Sequence, residues 1–145
     1  MNSSLSLEYE FSRNGDDFGW LIAKVTTPDF SGRNGMWVQW QDIADFASSL
    51  SRFPIEVDVP LQCDWGFSAK DKYSQITAIK IAPVGITGGL ITDVYLANCH
   101  EPANRCQTIF QTDYPSLIEF KAQIERMIKD RYGVATLGGA KTNDR

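Results

Sequence analysis

The chain has one histidine, three cysteines and few clustered basic residues. Each scarcity removes a class of function. A structural zinc site needs paired ligands two to four residues apart, repeated once. Here Cys99 and His100 are adjacent, Cys106 lies six residues beyond, and Cys63 is far away, so no metal is expected. Neighbouring residues on a strand point to opposite faces. Unless a bulge intervenes, that separates Cys99 from the only histidine and removes a thiol–imidazole catalytic pair. Three cysteines cannot all pair within one chain. Free thiols, mostly buried, in a reducing cytoplasm are the expectation.

Long apolar runs are missing too. No stretch approaches the roughly 18–20 residues of a membrane span. The opening MNSSLSLEYEF has no basic start, continuous apolar core or small-residue cleavage site, and does not read as a secretory signal. The net charge is −4 and the pI about 4.9. Phosphate backbones need clustered Lys and Arg, and apart from the helical KAQIERMIKDR such residues are scattered, so nucleic acid is not an expected partner. Glycine motifs are equally unhelpful. SGRNG (residues 31–35) and GITGGL (85–90) match neither GxGxxG nor GxxxxGK[ST] and read as turns. No cofactor is expected.

What is present is ordinary core material. Of 145 residues, 43% are apolar and 22% charged, with 4 Trp, 5 Tyr and 8 Phe. Such a chain suits one domain that buries about two-thirds of its unfolded surface. Leu5, Leu7, Tyr9 and Phe11 alternate with polar residues, the period of a half-buried strand. Asn14-Gly15 then turns the chain into a second strand, WLIAKVTT. MWVQW reads as a short strand. From Asp42 the period changes, and Ile43, Phe46, Ala47, Leu50 and Phe53 form a helical stripe that Pro54 stops.

IEVDVPLQC reads as a strand with Glu56 and Asp58 on its polar face. SQITAIKIAP, GLITDVYLANC and RCQTIFQT are three more strands. DYPSLIEFKAQIERMIKDRYG is the second helix, with Pro115 in its first turn, Ser116 and Glu119 spaced as a capping box, and Gly133 as C-terminal cap. The expectation is an α+β domain over residues 1–135: a mainly antiparallel sheet of about six strands, two helices on one face, and a flexible tail at 136–145.

Carboxylates and tryptophans supply the site candidates. Glu8 and Glu10 share one strand face and Glu56 and Asp58 another, stripes that would steer a basic partner. Catalysis by such pairs needs two carboxyls facing across a cleft, which sequence does not place. Trp37 and Trp40 read as anchors of the corner before the first helix. Trp65 follows an exposed-looking strand end; core packing is the favoured reading of these tryptophans, since large aromatics dominate cores, and an exposed one would be a natural interface anchor. Arg33 is the residue of SGRNG not committed to backbone geometry. Glu8, Glu10, Arg33, Glu56, Asp58 and Trp65 therefore form the candidate partner-binding set, with no catalytic or metal-binding residue.

Two segments carry a family likeness. PDFSGRNGMWVQWQDIADFASSLSRF resembles the F-x-G…W…D-[LI]-x-x-F-x-x-x-L stretch of small bacterial immunity proteins of the wall-associated, WapI-like kind. IFQTDYPSLIEFKAQIERM resembles that family's F-x-[TS]-D-[QY]-x-x-L-x-x-F-x-x-x-[LI] ending. The strand-rich middle agrees in order and length, although Cys63-Asp64-Trp65 and Asn98 to Arg105 match nothing in that pattern. The resemblance implies a cytoplasmic, antitoxin-like protein that blocks one toxin, often a nuclease, without catalysis. It carries over no binding residues. Two other readings stand beside it: an enzyme or ligand-binding domain whose site is assembled from several strands, notably at Thr92 and Asp93, and a homodimer formed through a sheet edge or face.

Overall fold

Alternation builds the first sheet. In the computed structural model, which describes residues 3–86 and 89–140, β1 (Ser4–Phe11) pairs antiparallel with β2 (Phe18–Thr26). Leu5, Leu7 and Tyr9 lie opposite Val25, Ala23 and Leu21, and all six are fully buried. The sheet continues on one side to β3 (Ser31–Gln39) and on the other to β8 (Tyr132–Gly138), giving the order β3-β2-β1-β8. A second antiparallel sheet, of order β4-β5-β6-β7, is made by β4 (Leu61–Ala69), β5 (Lys72–Val84), β6 (Gly89–Ala97) and β7 (Arg105–Thr112). Eight strands in two sheets thus replace the expected single sheet of about six.

The helices complete the core rather than covering one face of one sheet. α1 (Trp40–Ser49) contributes Ile43, Phe46 and Ala47, and α2 (Tyr114–Lys129) contributes Leu117, Phe120, Ile124 and Met127. These join the inner residues of both sheets in one continuous cluster. Phe46 meets Phe120 edge-to-face at 6.4 Å and Trp65 of β4 at 5.9 Å, the arrangement that ring quadrupoles favour.

Several local expectations are corrected. SGRNG is not a turn but the first half of β3. Neither Gly32 nor Gly35 has positive φ. A side chain at Gly32 would overlap the Cys106 sulfur, and one at Gly35 would overlap the Trp20 ring, so close approach accounts for both. Residues 55–60 form a loop with one bridge between Glu56 and Val59, leaving Val57 68% and Val59 51% exposed. The prolines at 54 and 60 bracket a stretch too short to build a ladder. α1 ends before Phe53, which is exposed and meets Tyr114 edge-to-face at 4.8 Å.

The α2 caps differ as well. Its N-cap is Asp113, whose carboxylate accepts the Ser116 N–H at 2.8 Å, in place of a Ser116–Glu119 box. At the other end Arg131 adopts a φ of 65°, and Gly133 belongs to β8. Residues 136–138, expected in a flexible tail, belong to the same strand, with Leu137 fully buried against Leu5. Residues 141–145 of that tail, and Thr87 and Gly88 of the GITGGL stretch, lie outside the described residues.

Two polar devices hold this arrangement. At the Trp65/Gly66 register shift, Ile76 of β5 has no opposite number on β4, and such an extra residue loses its ladder partner. Asn34 of β3, in the other sheet, supplies one: its Nδ2 donates to Ile76 O at 3.2 Å, to Thr77 Oγ1 at 3.0 Å and to Ala97 O at 3.0 Å. Within the first sheet, the buried Tyr9 hydroxyl donates to Val38 O at 2.8 Å. It passes Gly19, where a Cβ would collide with its ring. Burial, then the charges of Asp16, Asp42 and Asp17, push this phenol from 10.0 up to about 12.

Asn34→Ala should destabilise the fold by about 2–3 kcal/mol in urea unfolding, because it strands two buried carbonyls. Asn34→Asp should be worse, since a carboxylate would face those carbonyl oxygens. Tyr9→Phe should lose about 1 kcal/mol at neutral pH. Because the folded Tyr9 keeps its proton where the unfolded chain releases it, its contribution is complete below pH 10 and is lost as the pH rises toward about 12. The variant's alkaline loss of stability should therefore be shallower in pH-dependent melts.

Candidate functional site

A depression of about 600 Å³ opens where β3 and β4 border α1. Its volume falls in the range of binding pockets. One wall is Met36 to Gln39 of β3 and the other Gln62 to Gly66 of β4, with Asp42, Asp45, Phe46 and Ser49 of α1 between them. Asp42 and Asp45 are three apart, a spacing that brings both carboxylates to the same side of the helix. Phe18, Trp37, Phe46, Trp65 and Tyr73 supply aromatic surface. Among the described residues no Lys, Arg or His lines the groove, while Asp42, Asp45 and Asp64 do.

Asp64 is the fixed member of this set. It accepts the Tyr73 hydroxyl at 2.6 Å and Gln75 Nε2 at 2.9 Å. Burial, followed by the bond to Asp64 and its charge, pushes the Tyr73 phenol up to about 12. Asp42 and Asp45 are exposed, and Asp42 lies in the first turn of α1, where the helix dipole favours its charge. Cys63, in the β4 wall, has its thiol pushed upward by burial. A raised thiol is a poor nucleophile. The groove therefore combines negative charge with aromatic walls and no activated nucleophile.

The six sequence candidates do not form one surface. Glu8 and Glu10 lie on the outer face of the first sheet, Glu8 opposite Ile22 and Val134, Glu10 opposite Trp20 and Tyr132. Tyr132 donates to Glu8 Oε2 at 3.2 Å. Arg33 shares that outer face but sits at the margin, opposite Lys24. Glu56 and Asp58 are on the exposed 55–60 loop. Trp65 is only 7% exposed. It lines the groove as a core residue packed on Phe46, the favoured of its two sequence readings.

Trp37 is the exposed one, at 56%. It meets Trp20 edge-to-face at 5.2 Å and borders both the groove and a smaller hollow of about 390 Å³ beside Glu8 and Glu10. Sequence reasoning missed Asp42, Asp45, Asp64 and Tyr73 as one group. The Asp42/Asp45 spacing beside the apolar stripe was the available signal.

The residues proposed for an assembled catalytic site do not converge. Thr92 is buried with its hydroxyl unpartnered among the described residues. Asp93, its neighbour, lies on the opposite face and accepts Gln107 Nε2 at 2.9 Å. Cys99 is half-buried and His100 is exposed in a turn held by Asn98 Oδ1. Among the described residues no group of three or more His, Cys, Asp or Glu is placed to hold a metal ion. No described helix is long and apolar enough to cross a membrane.

Substitutions should separate core from groove. Trp65→Ala should destabilise by about 3–5 kcal/mol, as for other buried large-to-small changes. Asp45→Asn should stay within about 0.5 kcal/mol, and Asp42→Asn should lose about 0.3–1 kcal/mol through the helix dipole. Thermal and urea unfolding of the three variants would check this.

Compared with models of protein families, with curated proteins and with solved structures, the chain has no significant match.

Proposed function

We propose that the chain is a cytoplasmic, non-catalytic binding protein of the bacterial immunity type, whose groove between β3 and β4 receives a basic part of a partner toxin. The observation that carries this reading is the groove's lining: Asp42, Asp45 and Asp64 with five aromatic side chains and, among the described residues, no cation. A carboxylate surface with aromatic walls recognises Lys and Arg by charge and by cation–π contact. The net charge of −4 adds long-range attraction for a basic partner. The family resemblance supports the immunity type and assigns no binding residues; Trp37, Asp42, Asp45 and Phe46 of its first segment line the groove. Glu8 and Glu10 line the neighbouring hollow that shares Trp37 with the groove, together with Trp20 and Arg13.

The test is genetic. A toxin-like protein encoded beside this chain should arrest growth when expressed alone, and co-expression of the wild-type chain should relieve the arrest. The double charge reversal Asp42→Lys with Asp45→Lys should abolish that relief while leaving the chain folded. No relief by the wild type would sink the immunity reading. Undiminished relief by the double variant would sink the assignment to this groove.

A further inference from the structure

We infer that the groove accepts its occupant as an added β-strand: an extended, lysine- or arginine-bearing segment of the partner pairs with the free edge of β4. This rests on the binding function proposed above and specifies its geometry.

A strand shows alternate side chains to alternate faces. A cavity lying over one face of a sheet is lined by every second residue. This groove is lined by consecutive residues instead, Met36 to Gln39 on one side and Gln62 to Gly66 on the other. It therefore runs along strand edges, where backbone N–H and C=O groups point. β3 and β4 are both outermost in their sheets, and among the described residues the outer edge of β4 has no backbone partner.

The two other margins are treated differently. Gln123 of α2 reaches over β8, its Oε1 accepting the Thr136 N–H at 2.8 Å. Gln111 of β7 accepts the Ala140 N–H at 2.7 Å. Proteins commonly guard open edges with lysine or proline inside the strand. β4, LQCDWGFSA, has neither, and its single charge is Asp64. β3 is the lesser template, because Asn34 ties its first half to the second sheet and the chain leaves into α1 after Gln39.

Charge complementarity fixes the class of occupant. Alternate side chains of an added strand face opposite ways, one set toward Asp64 on the outer face of β4 and the other toward α1 with Asp42 and Asp45, while main-chain bonds to β4 supply affinity independent of sequence. A second copy of this chain is a poorer occupant, since its own β4 would bring another Asp64 into the carboxylate-lined groove.

The probes are three end-blocked peptides of alternating lysine and valine: one unmodified and two N-methylated on opposite sets of alternate backbone nitrogens. Methylation leaves charge and side chains intact but removes backbone donors. The expected result is that one methylated peptide binds at least about tenfold more weakly than the unmodified one and the other within about twofold. Amide exchange of β4 should slow on binding, and Asp42→Lys with Asp45→Lys should weaken the unmodified peptide by about tenfold or more. If both methylated peptides bind like the unmodified one while the charge reversal still weakens binding, strand addition is overturned and the acidic groove survives as the binding site. If the unmodified peptide does not bind, or binds the charge-reversed variant equally well, both readings fall. Sedimentation at several concentrations should show a monomer. A dimer that protects β4 would overturn the assignment to a foreign segment.

Discussion

One amide of the first sheet is bonded to two strands of the second. β5 carries an extra residue, Ile76, whose carbonyl the register shift opposite Trp65 and Gly66 leaves without a ladder partner. β6 ends at Ala97, whose carbonyl lies nearby. Both are inside the protein, where an unpaired carbonyl is expensive. The Asn34 amide meets both, and the Thr77 hydroxyl between them, from a strand of the other sheet. Three acceptors around one nitrogen settle which end of the side chain faces them, because the amide oxygen there would be repelled. The pairing is specific in a way apolar contacts are not: it fixes where β3 lies along β5 and β6, and so where β3 parts from the second sheet.

That parting creates the groove. Near Asn34 and Gly32 the sheets touch, with Cys106 seated where Gly32 lacks a side chain. Further along β3, Met36 to Gln39 face Gln62 to Gly66 of β4 across the groove, with α1 side chains between them. A polar tie lies at one end, and at the base Phe46 meets Trp65 and Phe120 edge-to-face.

Sequence periodicity revealed the elements whose buried positions are large and apolar. β1, β7 and both helices follow directly from Leu5, Leu7, Tyr9, the RCQTIFQT pattern and the two helical stripes. The first half of β3 was illegible because its inward positions are Gly32 and Asn34, chosen for contact with the other sheet rather than for hydrophobicity. β8 was hidden for a similar reason: its inward residues begin with Gly133 and Ala135, small enough to look like a helix cap and a tail. The 55–60 segment erred the opposite way. Its alternation of Ile55, Val57 and Val59 is regular, yet no neighbouring strand is available to it. The candidate site was legible only in kind. Acidic and aromatic residues stood out, but which of them converge depends on a contact between sheets that local pattern does not encode.

The groove is also compact along the chain. Apart from Phe18 and Tyr73, every residue lining it falls between Met36 and Gly66, whereas Asn34, Tyr9 and most of the second sheet's core lie outside that stretch. The groove's lining and the polar tie between the sheets thus occupy different parts of the chain, although Phe46 and Trp65 belong to both lining and core. Exchanging the exposed lining positions of this one stretch, Trp37, Asp42 and Asp45, would remake the groove's surface and leave both Asn34 and the aromatic base in place.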